Sequence, residues 1–179
     1  MADDAQKNPA AAAAPLPKLS AQDFKTYNHP AEVMEQFHDN FRRTWKTLYD
    51  ACLTNKRPRN LTMSQFLRLG LNFCSSLETH HSIEERYIFP HLAKRMPAFK
   101  NELELVGQHR QIHKGLEALE GYLEECRRGE TELRLSELKG ILDGFGKVLW
   151  EHLDEEVREL GAENMRRFWS KEEMRGMPF

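Results

Sequence analysis

Histidine and carboxylate side chains recur one helical turn apart along this chain, each time inside a stretch whose apolar residues repeat at helical spacing. His38 stands alone; His80 pairs with Glu84, His109 with His113, and His152 with Glu156. Residues i and i+4 of an α-helix stack on one face, so each pair presents two donor groups to one point. Five imidazoles and two carboxylates converging from four helices would hold two metal ions; one ion of ordinary coordination number needs fewer. A chain patterned in this way is expected to fold as helices packed around a shared polar centre.

The apolar periodicity supplies those helices. Met34, Phe37, His38, Phe41, Trp45, Leu48 and Cys52 mark one face of the first, with Pro30 in its opening turn and Asn28 or His29 as its cap. The second starts near Thr62 or Ser64 and carries Phe66, Leu69, Phe73, Leu77, His80, Glu84 and Tyr87, until Pro90 kinks or ends it. Leu105, His109, Ile112, His113, Leu116, Leu119, Leu123 and Cys126 define the third, which stops near Gly129. The fourth, capped by Thr131 or Ser136, shows Leu138, Ile141, Phe145, Leu149, His152, Glu156 and Leu160, with Gly161 as terminator. Four such helices of about 25 residues, each roughly 40 Å long, predict an all-α, antiparallel up-down-up-down four-helix bundle. Residues 1–22 are Ala/Pro-rich and are expected to be disordered, 23–161 form the bundle, and 162–179 form a short helical tail packing on it through Phe168 and Trp169.

Composition narrows the partners. A formal net charge of −2 gives no electrostatic case for nucleic acid or an anionic membrane. Cys52, Cys74 and Cys126 are odd in number and form no CxxC pair, which argues for a reducing compartment and buried packing roles. No apolar run is long enough to cross a bilayer. The start of the chain carries Asp3 and Asp4 and no arginine, so a secretory or transit signal is not expected and the cytosol is the expected location. Nothing in the sequence names a protein partner.

The polar residues continue the apolar stripes: His80 and Glu84 extend the Phe73–Leu77 line, and His152 and Glu156 extend Phe145–Leu149. Ionisable groups on a core face need partners, and a metal is the economical one. Imidazole with carboxylate suits iron, manganese or zinc, while the lack of thiolate pairs argues against a structural Cys-type zinc site. Any one pair taken alone reads as a core histidine or a surface ion pair; the joint pattern does not. His81 with Glu85 repeats the spacing one register away, but His80 with Glu84 lies on the stronger stripe, and Glu155 is the runner-up to Glu156. Tyr87 is read as a core or rim tyrosine, His91 as a loop or capping residue, and Phe37 as core. The two halves also echo each other. His80 and Glu84 recur 72 positions on as His152 and Glu156, and His38 recurs 71 on as His109, with Arg42 standing where the second half has His113.

FHDNFRR around His38, HHSIEERYIFP from His80, QHRQIH from His109 to His113, and EHLDEE around His152 together resemble the hemerythrin-like, or HHE cation-binding, family over roughly residues 28–160. The resemblance implies a centre of two non-haem iron ions with a bridging oxo or hydroxo group. His109, His113 and His152 would hold one iron, His38 and His80 the other, and Glu84 and Glu156 would bridge them. The two-histidine iron would keep the open position for dioxygen. Respiratory members resemble HxxxxD at the last carboxylate, whereas this chain has HxxxE, as in the iron-sensing and bacterial branch. The expected function is therefore non-catalytic binding or sensing of dioxygen, nitric oxide or iron. The alternatives are a di-iron oxidoreductase, peroxidase-like or nitric-oxide-reducing, and a metal-free helical interaction module.

Overall fold

The computed structural model describes residues 16–100 and 104–179, and every element assigned among them is helical. Four long helices are α1 (Ala21–Thr54), α2 (Met63–Ile83), α4 (Glu104–Arg128) and α5 (Leu135–Glu159). The segment after α2 continues as a π-helical turn (Glu84–Ile88), a short α3 (Phe89–Leu92) and a 3-10 turn (Pro97–Phe99). Two short helices, α6 (Ala162–Phe168) and α7 (Lys171–Met174), follow α5. The long helices form a closed ring of neighbours, α1 against α2, α2 against α4, α4 against α5 and α5 against α1. Phe41 meets Phe73, and Trp45 meets both Phe73 and Phe145. No helix among the described residues is long and apolar enough to cross a membrane.

The first helix begins nine residues before the proline that was expected to open it. Ser20 is its cap, accepting from the Asp23 amide at 3.1 Å, and Pro30 lies inside the helix. An interior proline removes one backbone hydrogen bond and crowds the preceding turn. Tertiary contacts offset that cost, because α6 and α7 pack on α1, Pro30 is buried, and the Asn28 side chain accepts from the Ala162 amide at 3.3 Å. Of the segment expected to be disordered, residues 1–15 lie outside the described residues, while Ala21 and Gln22 are helical.

Thr62 caps α2 with a reciprocal capping box to Gln65. Pro90 makes itself felt one turn early. Its ring has no amide proton and would collide with the carbonyl four residues back in an ordinary α-turn. The backbone instead widens into the π turn, where the Phe89 amide donates to Glu84 O, and α3 then carries Pro90 in its first turn. The cap of α5 is Arg134, not Thr131 or Ser136. Its amide donates to the Tyr122 hydroxyl at 2.7 Å, and that hydroxyl donates back to the Arg134 carbonyl at 3.1 Å. Gly129, at φ 75, ends α4 in the left-handed conformation that glycine adopts without strain.

The apolar interior is in two parts. One is built from Phe41, Trp45, Leu77, Ile112, Leu116, Phe145, Leu149 and their neighbours. The other joins Met34, Ile88, Phe89, Leu92, Leu105 and Leu160 to Met165, Trp169 and Met174 of the chain's last segment. Along every long helix the polar residues of interest fall between these parts.

Candidate metal centre

Each long helix contributes to one polar layer enclosed by the two apolar clusters. His38 comes from α1, His80 and His81 from the last turn of α2, and Glu84 opens the π turn. His109 comes from α4, and His152 and Glu156 from α5. Six of these seven are fully buried; only the His80 side chain keeps 10% of its surface exposed. Their donor atoms fall into two groups within which all lie within 4.8 Å of one another. One group is His38, His80, Glu84 and Glu156; the other is His81, Glu84, His109 and His152.

The carboxylates stand between the groups. Glu84 places Oε1 2.8 Å from His80 Nε2 and Oε2 3.5 Å from His109 Nε2. Glu156 Oε2 is 3.4 Å from His38 Nε2 and 3.6 Å from His152 Nε2. Across the first group, His38 and His80 face each other through Nε2 at 3.4 Å; across the second, His109 and His152 do so at 3.1 Å.

What lies outside the layer sets the proton positions inside it. His38 Nδ1 meets the Leu153 carbonyl at 3.0 Å, His109 Nδ1 meets a Glu85 carboxylate oxygen at 2.8 Å, and His152 Nδ1 meets Gln108 Oε1 at 3.1 Å. The Gln108 amide nitrogen donates to Glu155 at 2.9 Å, which leaves its oxygen to face the ring. Three acceptors require three Nδ1–H donors, so each neutral ring turns a bare Nε2 lone pair inward. In the second group two such lone pairs then point at each other. Neither ring nitrogen of His81 is hydrogen-bonded, and none of the four oxygens of Glu84 and Glu156 accepts a hydrogen bond. Buried polar atoms are ordinarily satisfied. Bare imidazole nitrogens of His38, His109 and His152 turned toward two buried carboxylates suit cations, and acceptors behind metal-binding imidazoles are the usual orienting device.

The electrostatics agree. Burial pushes His80 down to about 3, and it drives His81 and His152 well below the ordinary imidazole value, helped by the neighbouring rings. His109 is lowered by burial, with Glu85 opposing. Glu84 is raised well above the usual carboxylate range by burial and then by Glu156 beside it. Without a cation the shifted groups prefer their neutral forms; positive charge placed among them would reverse the preference for Glu84.

Six of the seven expected donors fall within these two groups and one does not. His38, His80, Glu84, His109, His152 and Glu156 come together. His113 belongs to neither group and is only partly buried, its ring lying edge-on to His81 with centroids 5.4 Å apart. On α4 the fully buried residue at this level is Ile112, and His113 beside it keeps part of its surface exposed. His81 takes the place expected for it, stacked on His109 at 3.8 Å. Consecutive residues on α2 straddle the inward face, so His80 and His81 reach different groups and the choice between the two registers does not arise. The doublet His80-His81 was the available signal. Glu85 and Glu155 lie outside the layer, Glu85 accepting from His109 Nδ1 and Glu155 from the Gln108 amide. Tyr87, expected in the core or at its rim, is 57% exposed, and Phe37, expected in the core, is 54% exposed; His91 stacks on Trp169.

One side of the layer opens outward. A cavity of about 610 Å³ between α1 and α2 ends on His80 and Glu84 and touches none of the second group's histidines.

The family model described as the hemerythrin HHE cation binding domain matches residues 29–163. The chain is 27% identical over 151 residues to a dimeric xanthone biosynthesis cluster protein of Cryptosporiopsis sp., covering 80% of this chain and 55% of that one. It is 28% identical over 156 residues to an uncharacterized protein of Haemophilus influenzae, covering 81% and 86%. No solved structure matches the chain. With the matched region spanning α2, α4, α5, α1 from residue 29 onward and the whole polar layer, the chain belongs to the hemerythrin HHE cation-binding family.

Proposed function

We propose that this chain holds two iron ions in the polar layer and serves to bind or sense dioxygen, nitric oxide or iron itself. His38 and His80 would hold one ion and His81, His109 and His152 the other, with Glu84 and Glu156 shared and a solvent-derived oxygen bridging. The observation that carries this reading is the set of buried donors without partners, above all the two carboxylates and His81. Nitrogen and carboxylate donors without thiolate suit iron, and the unequal histidine count leaves the two-histidine ion the more open one. The cavity reaches that ion's side alone, which suits a small ligand arriving there. Two irons supply paired one-electron chemistry when bound; the protein's part is to hold the imidazoles by their Nδ1 protons and keep bulk water from the three-histidine side. The residue pairings between helices support an up-down-up-down order, and the unpaired cysteines support a cytosolic setting.

Metal analysis after anaerobic loading with ferrous iron tests the reading. Two irons per chain, with a charge-transfer absorption that appears in air and bleaches reversibly under nitrogen, support binding. One metal, or zinc alone, overturns the di-iron assignment. A protein that takes up no metal is the helical interaction module instead. A di-iron oxidoreductase is the second reading, favoured by a cavity larger than a diatomic ligand needs; peroxide consumption well above that of free iron would select it.

A further inference from the structure

Helices α1 and α2 make the loosest contact of the four neighbouring pairs. At the level of the metal layer α2 presents Ser75, Ser76 and Thr79 toward α1, where bulkier side chains would close the seam. The resulting cavity of about 610 Å³ falls in the range of sites that enclose organic molecules, and far exceeds a diatomic gas. Three properties of its lining define an occupant.

Most of the wall is apolar, from Val33, Phe37, Phe41, Ile83, Ile88 and Phe179. One strip is polar and uncharged, made by the α2 hydroxyls with Asn40 across from them. Thr79 donates its hydroxyl proton to the Ser75 carbonyl at 2.8 Å, so its oxygen is left as an acceptor. No lysine or arginine lines the cavity, and its inner end is the buried Glu84 carboxylate, neither oxygen of which accepts a hydrogen bond. An anion finds no counter-charge on these walls.

We propose that this cavity binds a neutral, mainly apolar organic molecule carrying a hydroxyl group, such as a phenol of one or two fused rings, beside His80 and Glu84. The ring system occupies the space between Phe37, Phe41 and Ile83, and the hydroxyl meets the Thr79–Asn40 strip. Phe37 and Phe179 flank the mouth. The assignment deepens the proposed function, since the occupant sits next to the two-histidine ion, but the walls that recognise it belong to the protein alone.

Calorimetric titration with naphthol, using the full chain both iron-loaded and metal-stripped, tests this. Naphthalenesulfonate serves as an anion with the same rings. Naphthol is expected to bind both forms, and the sulfonate neither. Ser76→Phe and, separately, Ser75→Phe extend a ring into the cavity from exposed positions. They are expected to weaken naphthol binding by about ten-fold or more while leaving metal content and melting temperature unchanged. Absence of naphthol binding, equal binding of the sulfonate, or indifference to both substitutions overturns the proposal. A chain that binds naphthol and takes up no iron removes the di-iron reading and leaves this one standing. A chain that takes up iron and ignores naphthol does the reverse.

Discussion

His109 and His152 face each other through Nε2 at 3.1 Å while their Nδ1 atoms are held from opposite sides, by Glu85 and by Gln108. Neither ring can turn its proton inward without leaving an outer acceptor unmatched. The pair is thus oriented as donors of electron density, with Glu84 and His81 completing the group. Outer partners of this kind work before any ligand arrives, by removing the alternative tautomer.

His81→Ala and His113→Ala should separate cleanly. The first removes a fully buried ring stacked on His109, and the three-histidine ion is expected to be lost. The second removes a partly buried ring outside both groups and should leave two metals per chain. Metal stoichiometry after gel filtration reads the difference. Loss of one metal in His113→Ala, with His81→Ala intact, would return His113 to the ligand set.

Glu85→Ala and Gln108→Ala act one step further out. Each frees one imidazole to rotate or to shift its proton, and affinity for the three-histidine ion is expected to fall by about 10- to 100-fold. Competition against a chelator measures the loss. The two-histidine ion provides an internal control, since His38 is held by a backbone carbonyl that neither substitution touches. Equal weakening of both ions would mean a general loss of packing.

Much of this was legible in the residues, and the failures have local causes. Apolar periodicity located the four long helices because one face of each is continuous core, from Phe41 and Trp45 to Leu149. It misjudged Phe37, whose place in the stripe is right for a helix face but which fronts the gap beside α2. The start of α1 was missed because Pro30 signals a first turn more strongly than Ser20 signals a cap, although Asp23 three residues on completes a cap signature. His81 was passed over because i, i+4 spacing favours His80 with Glu84. Only in three dimensions do neighbouring residues divide between two groups. The π turn follows from Pro90, but its position depends on how α2 meets the rest of the bundle.

Removing metal should leave a protein that acid destabilises. Folded His80 is held at about 3 against 6.5 for a free imidazole, and His81, His109 and His152 are shifted the same way. As pH falls below 6.5 the unfolded chain takes up these protons and the folded one does not, so stability drops. Glu84 is shifted upward and opposes this above the ordinary carboxylate value. The four lowered histidines outnumber the one raised carboxyl, so the net direction is loss of stability as pH falls. Melting curves of stripped protein between neutral pH and mild acid should show a steep decline. Loaded protein should melt higher at neutral pH, since metal binds the folded layer. A flat profile for the stripped protein would show that the histidines are not buried as described.

The packing below the metal layer predicts opposite signs for one substitution made at two places on α4. A Cβ at Gly115 would overlap Cβ, Cγ and Cδ1 of Phe145, and that ring is fixed by its edge-on contact with Trp45, centroids 5.1 Å apart. Gly115→Ala therefore forces an aromatic side chain out of a filled core, at a cost of about 1–3 kcal/mol. Gly121 is exposed on the same helix, and a Cβ there meets nothing within 4 Å. Gly121→Ala only removes backbone freedom from the unfolded chain and is expected to stabilise by about 0.5–1 kcal/mol. Denaturant midpoints of the two variants check both values, and matching signs would contradict the contact between α4 and α5 on which the height of the polar layer depends.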